Sequence, residues 1–266
     1  MRPGLADRRA AMTRIIAVAN QKGGVGKTTT AVNMAASLAS ETTRVLVIDL
    51  DPQGNASTAL GYDRESESPG MYEVMIGEAE LEDVILPCPD VPGLDCAPAD
   101  VDLAGAEIEM VAQERREFAL RSALEDLDRE YDYVFIDCPP SLGLLTLNAL
   151  VGAREVLLPI QCEYYALEGL SQLLKTVDMV KSHLNPDLGV GAIILTMYDG
   201  RTRLAGQVAE EVRTHFGARV LTTIIPRSVR LSEAPSHGQT ILTYDPSSSG
   251  AVAYREAAEQ FALVGH

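Results

Sequence analysis

The chain has 266 residues, of which 46% are hydrophobic, and its 38 acidic and 22 basic side chains give a formal charge of −16. This length fits one large α/β domain, and the apolar fraction excludes a disordered chain. The charge argues against a histone-like protein or a polybasic membrane binder, but it leaves room for a local basic patch. The four cysteines form no CxxC pair, and the sequence has neither a secretory signal nor an apolar run of about 20 residues. We therefore expect a cytoplasmic protein without a disulfide framework or a zinc site.

The first 13 residues form a basic leader that carries Arg2, Arg8 and Arg9. We interpret it as a flexible tail. An alternative start at Met12, or an extra contact with DNA or a partner, remains open. Residues 14–266 are predicted to form a single domain.

Short apolar runs alternate with helical patterns along this domain. The runs predict strands at 15–18, 45–48, 133–136, 156–160, 191–195 and 220–225, and the longer patterns predict helices at 28–40, 104–130, 166–184, 204–216 and 250–263. Runs that are apolar on both faces are typical of strands covered by helices on both sides. The alternation predicts an α/β fold with a doubly wound, mostly parallel sheet. The Pro- and Asp-rich stretch 87–102 predicts a loop around one short strand.

The segment between the first strand and the first helix combines glycines with two lysines. It reads Gln21-Lys22-Gly23-Gly24-Val25-Gly26-Lys27-Thr28-Thr29. Glycines let backbone N–H groups surround phosphates, and the helix N-terminus adds a positive dipole. Lys27 would reach the β- and γ-phosphates, and the Thr28 hydroxyl would bind Mg²⁺. The segment therefore predicts a nucleotide site, in which Gln21 replaces the glycine of the strict motif and Lys22 is an additional lysine.

Acidic residues end two further strands next to this loop. Asp49 and Asp51 follow the run at 45–48, and Asp137 follows the run at 133–136. A carboxylate at the carboxyl end of a strand beside a phosphate loop can hold Mg²⁺ through water or orient an attacking water. The chemistry needs positioning and electrostatics, and no protein nucleophile is indicated.

The loop with its second lysine resembles the deviant Walker A box of the ParA/MinD family of P-loop ATPases. The resemblance covers 14–263 and is greatest to the Soj/ParA chromosome-partitioning branch. It includes the segments 51–56 (DPQGNA), 139–142 (PPSL), 163–169 (EYYALEG) and 225–238 (IPRSVRLSEAPSHG).

This resemblance implies roles for the active-site residues. Lys22 would cross a dimer interface to the nucleotide of the other subunit, so that dimerisation depends on ATP. Lys22, Lys27 and Mg²⁺ would neutralise the charge that develops on the γ-phosphate, and Asp51 would position the hydrolytic water.

The resemblance also implies how the metal and the base are held. Asp137 would reach Mg²⁺ through water, with Asp49 supporting the same magnesium shell. Pro226 and Ser228 would lie over the adenine.

DNA binding is implied by basic residues late in the chain. Residues 62–130 contain 20 acids and five arginines, a net charge of −15, whereas residues 200–230 contain six arginines and two glutamates, a net charge of +4. The positions that match the family's non-specific DNA contacts are Arg201 and Arg230, with Arg203, Arg219 and Arg227 as weaker candidates. A dimer would expose two such patches side by side, so ATP would switch DNA binding.

The expected function is a Mg²⁺-dependent ATPase that segregates chromosomes or plasmids on the nucleoid with a ParB-type partner. The alternative is a ParA-like positioning ATPase for a protein cluster. A MinD-type membrane ATPase is disfavoured because 259–266 contains no Lys or Arg. A nitrogenase iron protein is disfavoured because neither Cys138 nor Cys162 suits a bridging cluster.

Overall fold

A central eight-stranded sheet organises the computed structural model, which describes residues 13–62, 68–163 and 166–264. The strands are β1 Arg14–Val18, β2 Val45–Asp49, β3 Leu86–Pro87, β4 Leu94–Ala97, β5 Tyr133–Asp137, β6 Glu155–Gln161, β7 Gly189–Tyr198 and β8 Val220–Pro226. Their order across the sheet is β3-β4-β2-β5-β1-β6-β7-β8. Among the strand pairs of the described residues, only β3 and β4 are antiparallel.

Helices cover both faces of this sheet. They are α1 Lys27–Leu38, α2 Asn55–Ala59, α3 Met71–Ile76, α4 Leu81–Val84, α5 Leu103–Glu109, α6 Ala119–Glu125, α7 Leu144–Gly152, α8 Ala166–His183, α9 Arg203–Phe216, α10 Val229–Glu233, α11 Ile241–Tyr244 and α12 Ser249–Val264. One buried cluster joins α1, α2 and α10–α12 to the sheet, and the other joins α3–α9 to its opposite face. Successive strand residues alternate between them: Val45 and Val47 belong to the first cluster, and Leu46 and Ile48 to the second. The predicted doubly wound sheet is confirmed.

The register of the central strands brings the polar strand ends to one edge. Asp49 of β2 and Val18 of β1 both pair with Asp137 of β5. Because these strands are parallel, the phosphate loop after β1 and the carboxylates after β2 and β5 share the carboxyl edge of the sheet.

The predicted helix over 104–130 is wrong as a single element. α5 ends at Glu109, two 3₁₀ turns follow at Met110–Ala112 and Arg116–Phe118, and α6 begins only at Ala119. Arg115 has a left-handed φ of 57°, which interrupts the helical path. The segment 112–117 (AQERRE) has no apolar stripe to bury, so nothing holds it as a continuous helix.

The sequence patterns also missed α7. Its residues LLTLNALVG are apolar almost all round and most of them are buried, so they show no amphipathic period. By contrast, β4 lies where one short strand was predicted within 87–102, and all four of its residues are buried.

The chain enters the described structure at Thr13, just before β1. The Thr13 hydroxyl donates to the carbonyl of Tyr131 at 2.7 Å. The rest of the predicted leader, 1–12, lies outside the described residues. Across the described ranges, no helix has both the length and the apolarity to cross a bilayer.

Candidate active site

The glycine-rich loop joins the end of β1 to the start of α1. Gly24 and Gly26 have φ angles of 72° and 86°, a left-handed conformation that favours glycine. Asn20 anchors the loop on both sides, since its amide donates to the carbonyl of Pro159 at 2.7 Å and its oxygen accepts the N–H of Lys22 at 3.0 Å. The first turn of α1 therefore opens directly onto the loop, as phosphate binding at a helix N-terminus requires.

The two lysines of the loop have different environments, one buried and one exposed. Lys27 is 6% exposed, and its ammonium group donates to the carbonyl of Lys22 at 3.3 Å. Burial lowers the pKa of Lys27, and the nearby Asp137 and Asp51 oppose that shift. Lys22 is instead half-exposed, and its ammonium group forms an ion pair with Glu163 at 2.9 Å.

Asp49 is fully buried and engaged by local donors. One carboxylate oxygen accepts the N–H of Asp51 at 3.1 Å, and the other accepts the N–H and the hydroxyl of Ser57 at 2.8 and 2.7 Å. Burial raises the pKa of Asp49 to about 6, against the effect of these hydrogen bonds. These contacts fix the turn that carries Asp51, and they leave Asp49 less free to serve the predicted magnesium shell directly.

Asp137 is also fully buried, but no described group forms a hydrogen bond with either of its carboxylate oxygens. Burial and the charge of Asp49 raise its pKa, and the hydroxyl of Thr28 is near enough to oppose this rise without completing a hydrogen bond. A buried carboxylate without partners is unfavourable unless a cation is present. Asp137 and Thr28 thus provide oxygen donors of the kind that Mg²⁺ prefers.

The described part of the chain contains no group of three or more His, Cys, Asp or Glu side chains that could hold a metal alone. Mg²⁺ does not need such a group, because proteins bind it through one or two side-chain oxygens together with phosphate oxygens and water, and Asp137 and Thr28 offer two side chains of this kind. The residues present therefore fit a magnesium ion that arrives with a nucleotide.

A cleft of about 790 Å³ opens at this edge of the sheet. Asp51, Pro226 and Ser228 line it, and so do six residues of the loop and the first turn of α1: Gly23, Gly24, Gly26, Lys27, Thr28 and Thr29. The structure thus brings the predicted base contacts to the same cleft as the loop. Val25 is buried outside the lining, and Lys22 is not part of the lining.

Comparison with known proteins assigns the chain to a family. A family model described as an AAA domain matches residues 13–190. The sporulation initiation inhibitor protein Soj of Bacillus subtilis is 53% identical over 254 residues, which cover 96% of this chain and 100% of that protein. The chromosome partitioning protein ParA of Myxococcus xanthus is 54% identical, over 92% of this chain and 86% of that protein. The chain belongs to the ParA/Soj family.

A solved structure supports the fold and the cofactors that were predicted for this chain. The Mycobacterium smegmatis protein described as cobyrinic acid a,c-diamide synthase, with a bound ATP analog and magnesium, is 41% identical and has a TM-score of 0.81. The match covers 93% of each chain. The predicted P-loop fold, the ATPase activity and ATP with Mg²⁺ as cofactors are confirmed for this ParA/Soj protein.

The arginines predicted to bind DNA occupy a second region of this ParA/Soj chain, beyond β7 and β8. Arg201 is highly exposed and forms a bidentate ion pair with Asp199, with N···O distances of 2.8 and 2.7 Å. Arg201 lowers the pKa of Asp199 to about 2. Arg230 is also exposed, and it pairs with Glu233 at 3.1 Å and with Asp245 at 3.6 Å.

The weaker candidates are separated by the strand register. Arg203 begins α9 and Arg227 follows β8, and both are exposed near the carboxyl edge of the sheet. Arg219 comes directly before Val220, which pairs with Ile193 in β7. Because Ile193 precedes the end of β7 by five residues, Arg219 lies roughly 16 Å further down the sheet. The structure therefore does not bring Arg219 to the edge that carries the other arginines.

Several cleft residues were not found from the sequence. Asn20 anchors the loop, and Thr196 and Met197 at the end of β7 lie against it. Asn20 could have been noticed as a polar residue that directly follows a buried strand. The other two depend on an irregularity of β7 that no local pattern reveals.

The cysteines behave as small buried residues. Cys138 and Cys162 are 0% and 6% exposed, and burial raises the pKa of both thiols, to about 11 for Cys162. Neither is suited to react or to bind a cluster at the surface.

Proposed function

We propose that the chain forms an ATP-dependent dimer, binds DNA non-specifically and drives chromosome or plasmid segregation on the nucleoid. A ParB-type partner would stimulate hydrolysis and release the DNA. The names of the Soj and ParA relatives support the segregation role, and the site supports the nucleotide switch on which it depends.

The placement of Lys22 carries this proposal. A lysine that served only its own nucleotide would be expected in its own cleft, as Lys27 is. Lys22 instead extends outward to Glu163 and stays out of the cleft lining. An exposed ion pair of this kind is worth little and is easily exchanged. Lys22 is therefore available to the nucleotide of a second subunit.

Hydrolysis would then rest on a small number of polar groups. Lys27 and the N–H groups of the loop bind the phosphates, and Asp51, held at the cleft by the turn after β2, orients the attacking water. Asp137 and Thr28 would hold Mg²⁺, which neutralises phosphate charge when it is bound. Asp49 contributes indirectly, because its carboxylate accepts the N–H of Asp51 and so positions that residue. Lys22 of a second subunit completes the charge neutralisation.

The residues proposed to contact adenine and those proposed to contact DNA lie in segments beside the same carboxyl edge of the sheet. Pro226 and Ser228 are proposed to contact adenine, and Arg201 and Arg230 to contact DNA phosphates. One such patch on an acidic chain gives weak affinity. Two patches joined by ATP double the phosphate contacts, and the affinity becomes steeply dependent on salt.

The test is the effect of Lys22→Ala on dimerisation, with Lys181→Ala as the control because Lys181 is an exposed lysine of α8 away from the cleft. In sedimentation velocity with Mg²⁺ and a non-hydrolysable ATP analogue, we expect the wild type and the control to sediment as dimers and Lys22→Ala as a monomer. Lys22→Ala should still bind the analogue through Lys27. Dimers formed equally well by Lys22→Ala would overturn the proposed role.

A positioning ATPase for a protein cluster is the second candidate. The observation that favours it is that Arg201 and Arg230 already have carboxylate partners within the chain, which reduces the positive charge they offer. Absence of ATP-dependent DNA retention by the wild-type protein at low salt would favour this reading.

A further inference from the structure

The end of β7 is irregular in a way that the nucleotide and DNA sites do not by themselves require. In the pairing with β8, Leu195 faces Ile224 and Tyr198 faces Pro226, so β7 has one more residue than β8 over this stretch. Met197 has a φ of 50°, a left-handed conformation that side chains with a Cβ rarely adopt. This bulge-like irregularity of a parallel pairing thus places a methionine in a backbone conformation that glycine adopts most readily.

The bulge turns two successive side chains towards the phosphate loop. In a regular strand Thr196 and Met197 would face opposite sides of the sheet. Here the Thr196 hydroxyl donates to the carbonyl of Val25 at 2.8 Å, and Met197 lines the nucleotide cleft. A methyl group added at Gly26 would lie 3.8 Å from Met197 Cε and 3.9 Å from Thr196 Cγ2. Thr196 is therefore hydrogen-bonded to the loop, and the end of the Met197 side chain lies about one methyl group away from Gly26.

The next two residues contact both arginine-bearing segments. The carbonyl of Tyr198 accepts the N–H of Arg227 at 3.0 Å, which fixes the chain that leads to α10 and Arg230. The side chain of Asp199 holds Arg201, and its carbonyl accepts the N–H of Thr202 at 3.0 Å. Four consecutive residues, 196–199, thus touch the phosphate loop at one end and the DNA-binding candidates at the other.

We propose that Met197 is a positioning residue that couples occupancy of the phosphate loop to the placement of Arg201 and of the segment 227–230. A loop that is occupied by nucleotide holds Met197 in its left-handed conformation through their close packing around Gly26. When the nucleotide leaves, residue 197 relaxes towards the extended region, and the carbonyl of Tyr198 and the side chain of Asp199 move with it. This inference rests on the proposed ATP-dependent DNA binding, and it names the element that transmits the signal.

The conformational preference of residue 197 offers a direct test. Met197→Ile puts a β-branched side chain where φ is positive, which is strongly disfavoured, whereas Met197→Asn keeps a residue type that tolerates this conformation. Met197→Gly permits the backbone conformation but removes the contact with the loop. Met179→Ile, at an exposed methionine of α8, is the matched control for the side-chain change.

Hydrogen exchange measures the coupling between the phosphate loop and Arg227 in the absence of DNA. On adding Mg²⁺ and ADP to the wild-type protein, we expect the Arg227 amide, measured in a peptide spanning 225–231, to exchange at least fivefold more slowly. Met179→Ile should give the same response, and Met197→Asn, which tolerates the conformation but has a shorter side chain, should respond more than Met197→Gly and less than the wild type. Met197→Ile and Met197→Gly should respond less than twofold at ADP concentrations that saturate each variant. Should either folded Ile or Gly variant respond as the wild type does, or should the wild type show no change at Arg227, the coupling role is wrong.

DNA retention then separates this inference from the function on which it rests. We expect the ratio of DNA affinity with ATP to that without ATP to fall at least fivefold in Met197→Ile and to be preserved in Met179→Ile. If the wild type retains no DNA with ATP, the proposed DNA binding fails, and hydrogen exchange still decides the role of Met197. If the wild type retains DNA with ATP and Met197→Ile keeps the full ratio, the coupling role fails alone.

Discussion

The two polar regions at the carboxyl edge of the sheet are built on different principles. In the first, formed by the loop after β1 and the ends of β2 and β5, Lys27, Asp49 and Asp137 are buried, and the register of adjacent strands brings them together. The second, after β7 and β8, is exposed, and Arg201 and Arg230 within it hold carboxylates of their own chain. The comparison indicates that the proposed chemistry needs only Lys22 from a second chain, whereas the proposed DNA surface would gain strength only through duplication.

The largest effect should come from the buried region. Asp51→Ala should lower ATP hydrolysis at least about 100-fold, because an orienting carboxylate beside the γ-phosphate is lost, while ATP affinity changes little. Steady-state phosphate release and equilibrium ATP binding measure the two effects. Asp187→Ala, at an exposed aspartate away from the cleft, should leave both unchanged. Hydrolysis at the wild-type rate by Asp51→Ala would remove this residue from the reaction.

A smaller effect is expected in the exposed region. The double variant Arg201→Glu, Arg230→Glu should lose about 10- to 100-fold of the ATP-dependent DNA affinity at low salt and reduce its salt dependence, since phosphate contacts become repulsive. Fluorescence anisotropy with DNA of random sequence over a salt series would show this. Nucleotide binding should be unaffected. Arg219→Glu is the control, because the register places Arg219 away from the edge, and an equal loss there would indicate a diffuse charge effect instead of a patch.

Substitution of Asp137 should affect stability and magnesium binding in opposite directions. Without nucleotide and Mg²⁺, Asp137→Asn should be more stable than the wild type by about 1–2 kcal/mol at pH 8, because a neutral amide costs less to bury than an unpaired carboxylate. Because burial raises the pKa of Asp137 in the folded protein, the wild type loses stability relative to the variant as pH rises above about 4, where the unfolded carboxyl ionises.

Urea unfolding at pH 5 and pH 8 measures this difference, which should be larger at pH 8. The same variant should lose most of the stabilisation that Mg²⁺ with ATP gives the wild type. An Asp137→Asn protein less stable than the wild type at pH 8 would mean that the carboxylate has partners in the nucleotide-free protein.

The smallest effect concerns the ion pair of Arg201. Asp199→Asn weakens the bidentate contact that positions Arg201, and it should lower ATP-dependent DNA affinity about twofold to fivefold, since exposed pairs of this kind are weak. Anisotropy at a single low salt concentration is sufficient. A gain of affinity would indicate that Asp199 competes with DNA phosphate for the guanidinium group.

Much of the buried region could be predicted from the sequence because local chemistry determines it. The glycines, Lys27 and the carboxylates Asp49, Asp51 and Asp137 lie at or just beyond the ends of short, continuous apolar runs, which are a clear strand signal. The strand order then brings them together, as the parallel alternation predicted.

The rest depends on contacts that are distant in the chain. The left-handed Met197 follows from an extra residue in β7 relative to β8. The hydrogen bonds that engage Asp49 depend on Ser57, which lies eight residues further along the chain. The break at Arg115 was missed because a left-handed residue gives no signal in the pattern of apolar residues. Helix α7 was missed because its uniformly apolar sequence shows no helical period. The separation of Arg219 from the other arginines is visible only in the pairing of β7 with β8.

The central claim is that ATP turns a weak single patch into a paired DNA surface. The most direct measurement is sedimentation velocity of the wild-type protein with fluorescent DNA of random sequence, in Mg²⁺ with a non-hydrolysable ATP analogue, with ADP and without nucleotide. The account predicts a DNA-bound dimer with the analogue only, and free DNA with protein monomers in the other two conditions. Equal DNA binding in all three conditions, or binding by a monomer, would contradict it.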